Sequence, residues 1–190
     1  MTTLNDLLAR KDITIAEVRA HLDSLAPETR VRQATTLERN RQAKLWAITA
    51  GGDKITTDDL VPSATGTFDP VAFDGQNDQP MLRNFQKIFY RLPDGSLAGR
   101  NAGVAAPYVG HGYYSVVAGG EDGVYIDYTK LPRSKPSDWP TIGRNDRGLS
   151  IAVYGFMKDY LRRVHGRILI GHAEKPILGS MGHFVLARPD

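Results

Sequence analysis

From Phe85 to Arg188 glycine and proline divide the chain into short apolar runs, and this punctuation restricts the fold more than any other feature. Phe85–Leu92 (FQKIFYRL) is brief and rich in aromatic residues, which suits a pleated strand better than a helix. Pro93-Asp94-Gly95 behind it is turn chemistry, because proline sets φ and glycine supplies a positive one. Leu97–Arg100 returns from that turn as a second strand. Gly112–Ala118 and Gly123–Tyr128 flank Gly119-Gly120-Glu121-Asp122 as a hairpin, and Arg167–Ala173 with Gly182–Arg188 form another around Glu174–Met181. Consecutive strands joined by turns pair antiparallel. The last hairpin is apolar on both faces, with Ile168 and Ile170 on one and Leu169, Phe184 and Leu186 on the other. Strands covered on both sides belong inside a layered sheet or in a barrel wall.

The first fifty residues carry a different period. Thr14-Ile15-Ala16-Glu17 is a capping box, with Ile13 and Val18 placed as a hydrophobic staple. The helix it opens, about 14–25, aligns Ile15, Val18 and Leu22. Leu4, Leu7 and Leu8 suggest a shorter helix before it. Pro27 suits the first turn of a further helix that runs to about Ala50 and stops at Gly51-Gly52. Its segment Glu38–Lys44 (ERNRQAK) is polar almost all round, the pattern of a helix that bridges solvent or meets a partner. Residues 51–82 and 129–147 read as long loops, the first with one helical turn at Thr56–Leu60. Leu149, Val153, Phe156, Met157, Tyr160, Leu161 and Val164 recur at helical spacing behind the capping pair Asn145-Asp146, which predicts a helix over 147–164 ended by Gly166. The expected class is α+β: N-terminal helices followed by a mostly antiparallel sheet, with one amphipathic helix packed on it. The sheet would hold five or six strands, open or barrel-like. The expected organisation is a helical segment over 1–50 and an α+β domain over 51–190, folded as one unit.

Composition narrows the chemistry. With 190 residues, 41% of them apolar, the chain is long enough to bury a core. It has no cysteine, which removes disulfides, thiolate nucleophiles, iron–sulfur clusters and cysteine-based zinc sites. No run approaches the roughly 18–20 apolar residues of a membrane span. The opening MTTLNDLLARKD has no apolar stretch of signal-peptide length, so a cytoplasmic protein without a membrane partner is expected. The net charge of +3 is a small excess. Two basic clusters, Arg30, Arg32, Arg39, Arg41, Lys44 and Lys158, Arg162, Arg163, Arg167, are interrupted by Glu38 and Asp159, as on solvated helices. Nucleic acid is therefore the weakest partner class. No phosphate-binding loop, dinucleotide fingerprint or Gly-x-Ser-x-Gly elbow is present, and no cofactor is assigned.

Histidine and tyrosine carry what functional signal there is. Three of the five histidines follow glycine, as Gly110-His111, Gly171-His172 and Gly182-His183. Glycine beside an imidazole lets another group approach it. A symmetric terminal hairpin places His172 across from His183, close enough to share a proton or a ligand. Counting alternate residues back along the first hairpin puts His111 on the face of Tyr113, Ser115, Ile126 and Tyr128. Imidazole titrates near neutrality and a phenol can donate to an oxyanion, so His111, Tyr113 and Tyr128 are the candidate catalytic residues, with Ser115, His172 and His183 as ligand contacts. Each also has a plainer reading as a packed or hydrogen-bonded strand residue. No metal is assigned, since histidine spacings are wrong and Glu174 is the one further ligand within reach. The leading expectation is a small-molecule pocket on the sheet, used for binding or for proton transfer. The alternative is a non-catalytic module whose polar helix and long loops meet another protein or a second copy of the chain.

Overall fold

A computed structural model describes residues 2–79 and 83–189. Four helices come first: α1 (Leu4–Ala9), α2 (Ile15–Asp23), α3 (Pro27–Ala34) and α4 (Arg39–Ile48). The Thr14–Glu17 capping box forms as the residues imply, Glu17 N donating to the Thr14 hydroxyl and Thr14 N to the Glu17 carboxylate. A second box, Thr3 with Asp6, opens α1. The helix expected over 27–50 is instead two. The Thr35 and Thr36 hydroxyls donate back to the carbonyls of Val31 and Arg32, and this competition from the side chains closes α3.

The sheet is larger than expected. Its strands are β1 (Val71–Asn77), β2 (Asn84–Arg91), β3 (Leu97–Ala102), β4 (Tyr114–Ala118), β5 (Val124–Asp127), β6 (Lys158–His165), β7 (Ile168–Lys175) and β8 (Gly179–Ala187). Each pairs antiparallel with the next, and β8 returns to β1, closing a barrel of eight strands rather than a sheet of five or six. Short helices α5 (Thr57–Leu60), α6 (Ala106–Val109) and α7 (Ser150–Val153) lie in the connections.

The helix expected over 147–164 is a correction. Only α7 is helical there, and half of the remainder is β6, with Asp159 and Leu161 turned into the barrel and Val164 outward beneath α2. A strand covered on both faces carries apolar residues at adjacent positions, and such a run satisfies a helical period equally well. The strand β1 also lay hidden in the expected loop 51–82, because Asp74, Gly75, Gln76 and Asn77 weaken its signal.

Two apolar layers hold the fold. Outside, Leu4, Leu8, Val18, Leu22 and Leu45 of the helices pack on Val164, Ile168, Ile170 and Val185 of the barrel wall. Gln42 of the polar helix is buried there and its amide donates to Gln76. The polar helix thus turns one side, with Gln42 and Leu45, onto the chain's own barrel. Inside, one barrel end is plugged by Ile55, Leu60 and Val61. Ile55 N donates to Asp122 O, the Arg91 guanidinium to Val61 O, and Arg163 to both carboxylate oxygens of Asp59. Gly123 is required at this contact, with φ of 104° and a Cβ position only 2.2 Å from Ile55 O. The opposite end stays open.

Candidate functional site

The open end leads into a cavity of about 590 Å³. Interior residues of antiparallel partners face the same side, so the register sorts them. Lys87 of β2 opposes Asn101 of β3, Gly99 opposes Tyr114 of β4, and Gly171 of β7 opposes Phe184 of β8. The last two glycines leave room for those rings: a Cβ at Gly99 would lie 2.6 Å from the Tyr114 ring, and one at Gly171 would lie 2.2 Å from Phe184. The cavity wall is accordingly apolar and aromatic over most of its extent, with Phe85, Val153, Tyr154, Met157, Ala173 and Phe184 among its residues.

Asn77, Gln79, Arg83 and Asn84 make the β1–β2 end of the lining polar, and one buried polar cluster interrupts the rest. The Lys87 ammonium donates to Asn101 Oδ1 at 3.2 Å and to the Tyr128 hydroxyl at 2.5 Å. Asn101 Nδ2 donates to the same hydroxyl at 2.9 Å. Lys87 Nζ also lies 2.8 Å from Asp159 Oδ2 of β6, with the two side chains 3% and 1% exposed. That contact is a close ion pair, and beyond Lys87 neither Asp159 oxygen has a hydrogen-bond partner among the described residues. Four rings stand around the ammonium, those of Tyr114, Tyr128 and Phe184 at 5.1 Å and of Phe85 at 5.6 Å, within cation–π range. Tyr154 stacks on Tyr128 at 5.4 Å.

Burial dominates the electrostatics. It pushes the Lys87 amine below its ordinary value, and the Asp159 charge pushes in the opposite direction. Burial raises Tyr114 and Tyr128 well above the usual phenol, with Asp159 adding to it, and carries Tyr154 up to about 12. The phenols are therefore held protonated at neutral pH, beside an amine and a carboxylate.

Residues expected to share a site are divided between two sides of the wall. The β4–β5 loop is five residues, 119–123, closed by Gly119 N donating to Gly123 O. One residue more than the expected loop moves the register by one, so Val116 opposes Ile126 and Ser115 opposes Asp127. Tyr128 faces the cavity, whereas Tyr113 and Ser115 face outward. The Tyr113 hydroxyl donates to Pro140 O at 2.6 Å beneath the β5–β6 loop. His111 is half-buried outside the barrel, with its Nδ1 3.4 Å from the Arg100 guanidinium. Burial lowers its pKa, and Arg100 adds to that.

His172 does oppose His183, with ring centroids 5.1 Å apart, but on the outer wall against Trp46 of α4. His172 Nε2 meets the Ser180 hydroxyl at 2.9 Å, and His183 Nδ1 lies 3.7 Å from Asp78. No group of three metal-binding side chains occurs among the described residues. Lys87, Asn101, Tyr154 and Asp159 were not among the expected site residues. Lys87 had a signal, because it lies on one strand face with Phe85 and Phe89. Asp159 was concealed by the helical reading of its strand.

The other connections at the cavity mouth carry exposed apolar side chains. The large apolar side chains left exposed among the described residues are Val104, Tyr108, Leu149, Ile151, Phe156, Ile177 and Leu178. All belong to the β3–β4 and β5–β6 connections or the β7–β8 turn, at the open end. Helix α7 is pinned across that end by Ser150 donating to Val109 O and by Lys175 donating to Ile151 O and Ala152 O. Comparison with models of known protein families, with curated proteins and with solved structures finds no match.

Proposed function

We propose that the barrel interior binds a small, mainly apolar molecule that carries one neutral polar end. The observation behind this is an open cavity of about 590 Å³ with a largely apolar and aromatic wall, in which Lys87, Asp159, Asn101 and Tyr128 form a buried polar cluster, apart from Asn77, Gln79, Arg83 and Asn84 at the β1–β2 end. That volume lies within the roughly 300–1,000 Å³ of typical ligand sites, and a barrel of about eight strands has space for one small ligand. Lys87 and Asp159 neutralise each other, so a charged ligand group would meet a like charge within the pair. Saturable binding of the neutral dye Nile red is the expected result, lost in Ala173→Phe, where a ring fills the cavity from β7. Equal affinity in that variant, or no binding to the parent protein, would refute the proposal.

A second reading is proton transfer at the ligand's polar end. It is favoured by the Tyr128 hydroxyl lying 2.5 Å from Lys87 Nζ, with the Asp159 carboxylate alongside. Deuterium exchange next to the carbonyl of 2-decanone is expected with the wild type and not with Asp159→Asn; no exchange with either removes this reading.

A further inference from the structure

We propose that Lys87 is a covalent anchor, its amine condensing with an aldehyde or ketone at the polar end of the ligand while Asp159 remains as counter-ion to the resulting iminium. This rests on the binding proposal and adds a bond to it. Two features distinguish the pair from an ion pair sealed in a core. Lys87 and Asp159 both line the cavity, and beyond Lys87 the Asp159 carboxylate has no hydrogen-bond partner among the described residues although its side chain is 1% exposed. A buried carboxylate is normally hydrogen-bonded, so its open valence is provision for a group that arrives with the ligand.

The electrostatics select a carbonyl. A carboxylate ligand drawn to Lys87 would approach Asp159, which is 2.8 Å from Nζ, and an ammonium ligand drawn to Asp159 would approach Lys87. Among neutral groups, the carbonyl is the one that makes use of an amine. The ammonium first passes a proton to Asp159. The freed nitrogen lone pair then bonds the carbonyl carbon, and the C=O π pair moves to oxygen. A proton relayed from the nitrogen converts that oxygen to the carbinolamine hydroxyl. Asp159 returns its proton to the hydroxyl, the C–O bond breaks, water leaves and the nitrogen lone pair closes the C=N bond. The sum is an ammonium and a carbonyl giving an iminium and water, with no change of redox state and no change of charge. The iminium inherits the place of the ammonium among the rings of Tyr114, Tyr128 and Phe184, each 5.1 Å away, and the Tyr128 hydroxyl is placed to hydrogen-bond the carbonyl oxygen as it takes up charge. Burial of Lys87 favours the free amine that begins the sequence.

The test is reductive trapping on the intact protein. Wild-type chain receives one equivalent of decanal with sodium cyanoborohydride near neutral pH, and the modified lysine is located by peptide mass spectrometry. Lys87 should acquire the decyl group faster than any exposed lysine. Excess 1-decanol, which fits the cavity but cannot condense, should suppress that label. Lys87→Arg, which keeps a cation beside Asp159, should lose the adduct. Labelling confined to exposed lysines, while decanal and decanol displace Nile red, overturns the condensation and leaves the binding proposal standing. No label at Lys87 and no displacement of Nile red by either compound overturns both.

Discussion

Substituting Lys87 by methionine removes the cation from beside a carboxylate that is 1% exposed and has no other hydrogen-bond partner among the described residues. The unbranched methionine side chain follows the lysine stem past Phe85 and Phe184, so lost packing contributes less than about 1.5 kcal/mol. The charge left behind decides the outcome. An uncompensated buried partner costs about 3–5 kcal/mol. Adding Asp159→Leu removes the orphaned charge. Asn101 Nδ2 and the Tyr128 hydroxyl still hydrogen-bond each other at 2.9 Å, and the new side chain has cavity space beside it. The double variant should therefore return to within about 1.5 kcal/mol of the wild type, or exceed it, as apolar replacements of buried ion pairs do. Urea unfolding followed by the fluorescence of Trp46 and Trp139 measures each difference, and a cycle of the four proteins gives the coupling. A double variant as unstable as Lys87→Met alone would show that the pair holds the barrel together, and the argument that it is kept for a ligand would fall.

Other outcomes follow from the same geometry. Tyr128→Phe should weaken ligand affinity at the polar end, because Lys87 and Asn101 lose a shared acceptor, while His111→Phe on the outer wall should leave affinity unchanged; titration with the displacing ligand separates the two. Gly99→Ala should cost about 1–3 kcal/mol by overpacking, since its Cβ would sit 2.4 Å from Ile88 O and 2.6 Å from Tyr114, and a thermal shift of under one degree would contradict this. His183 has a folded pKa pushed down by burial and by His172, against the pull of Asp78, so the folded state binds fewer protons than the unfolded chain. Stability should rise with pH from that depressed value up to about 6.5, the unfolded value, and be level above it; His183→Gln should flatten that part of a denaturation-versus-pH curve.

Features encoded within a few residues were legible without coordinates. The Thr14 capping box and the helix it opens, the short helix before it, the turn at Pro93-Asp94-Gly95 and the antiparallel terminal hairpin with His172 opposite His183 all appear in the structure. Caps and turns are decided by neighbouring groups a few bonds apart, and a hairpin's register by its own loop.

What the tertiary structure decided is which side of each strand is the inside. A five-residue rather than four-residue loop at 119–123 separates Tyr113 from Tyr128, because strand side chains alternate and one added residue reverses the face. Closure brings β8 onto β1, and with it Lys87 of β2 and Asp159 of β6 meet across a space that neither strand encloses alone. Both residues look like charges on a solvated surface in the linear chain. Only the closed wall removes water from around them, and that removal turns two ordinary side chains into a coupled pair facing a cavity.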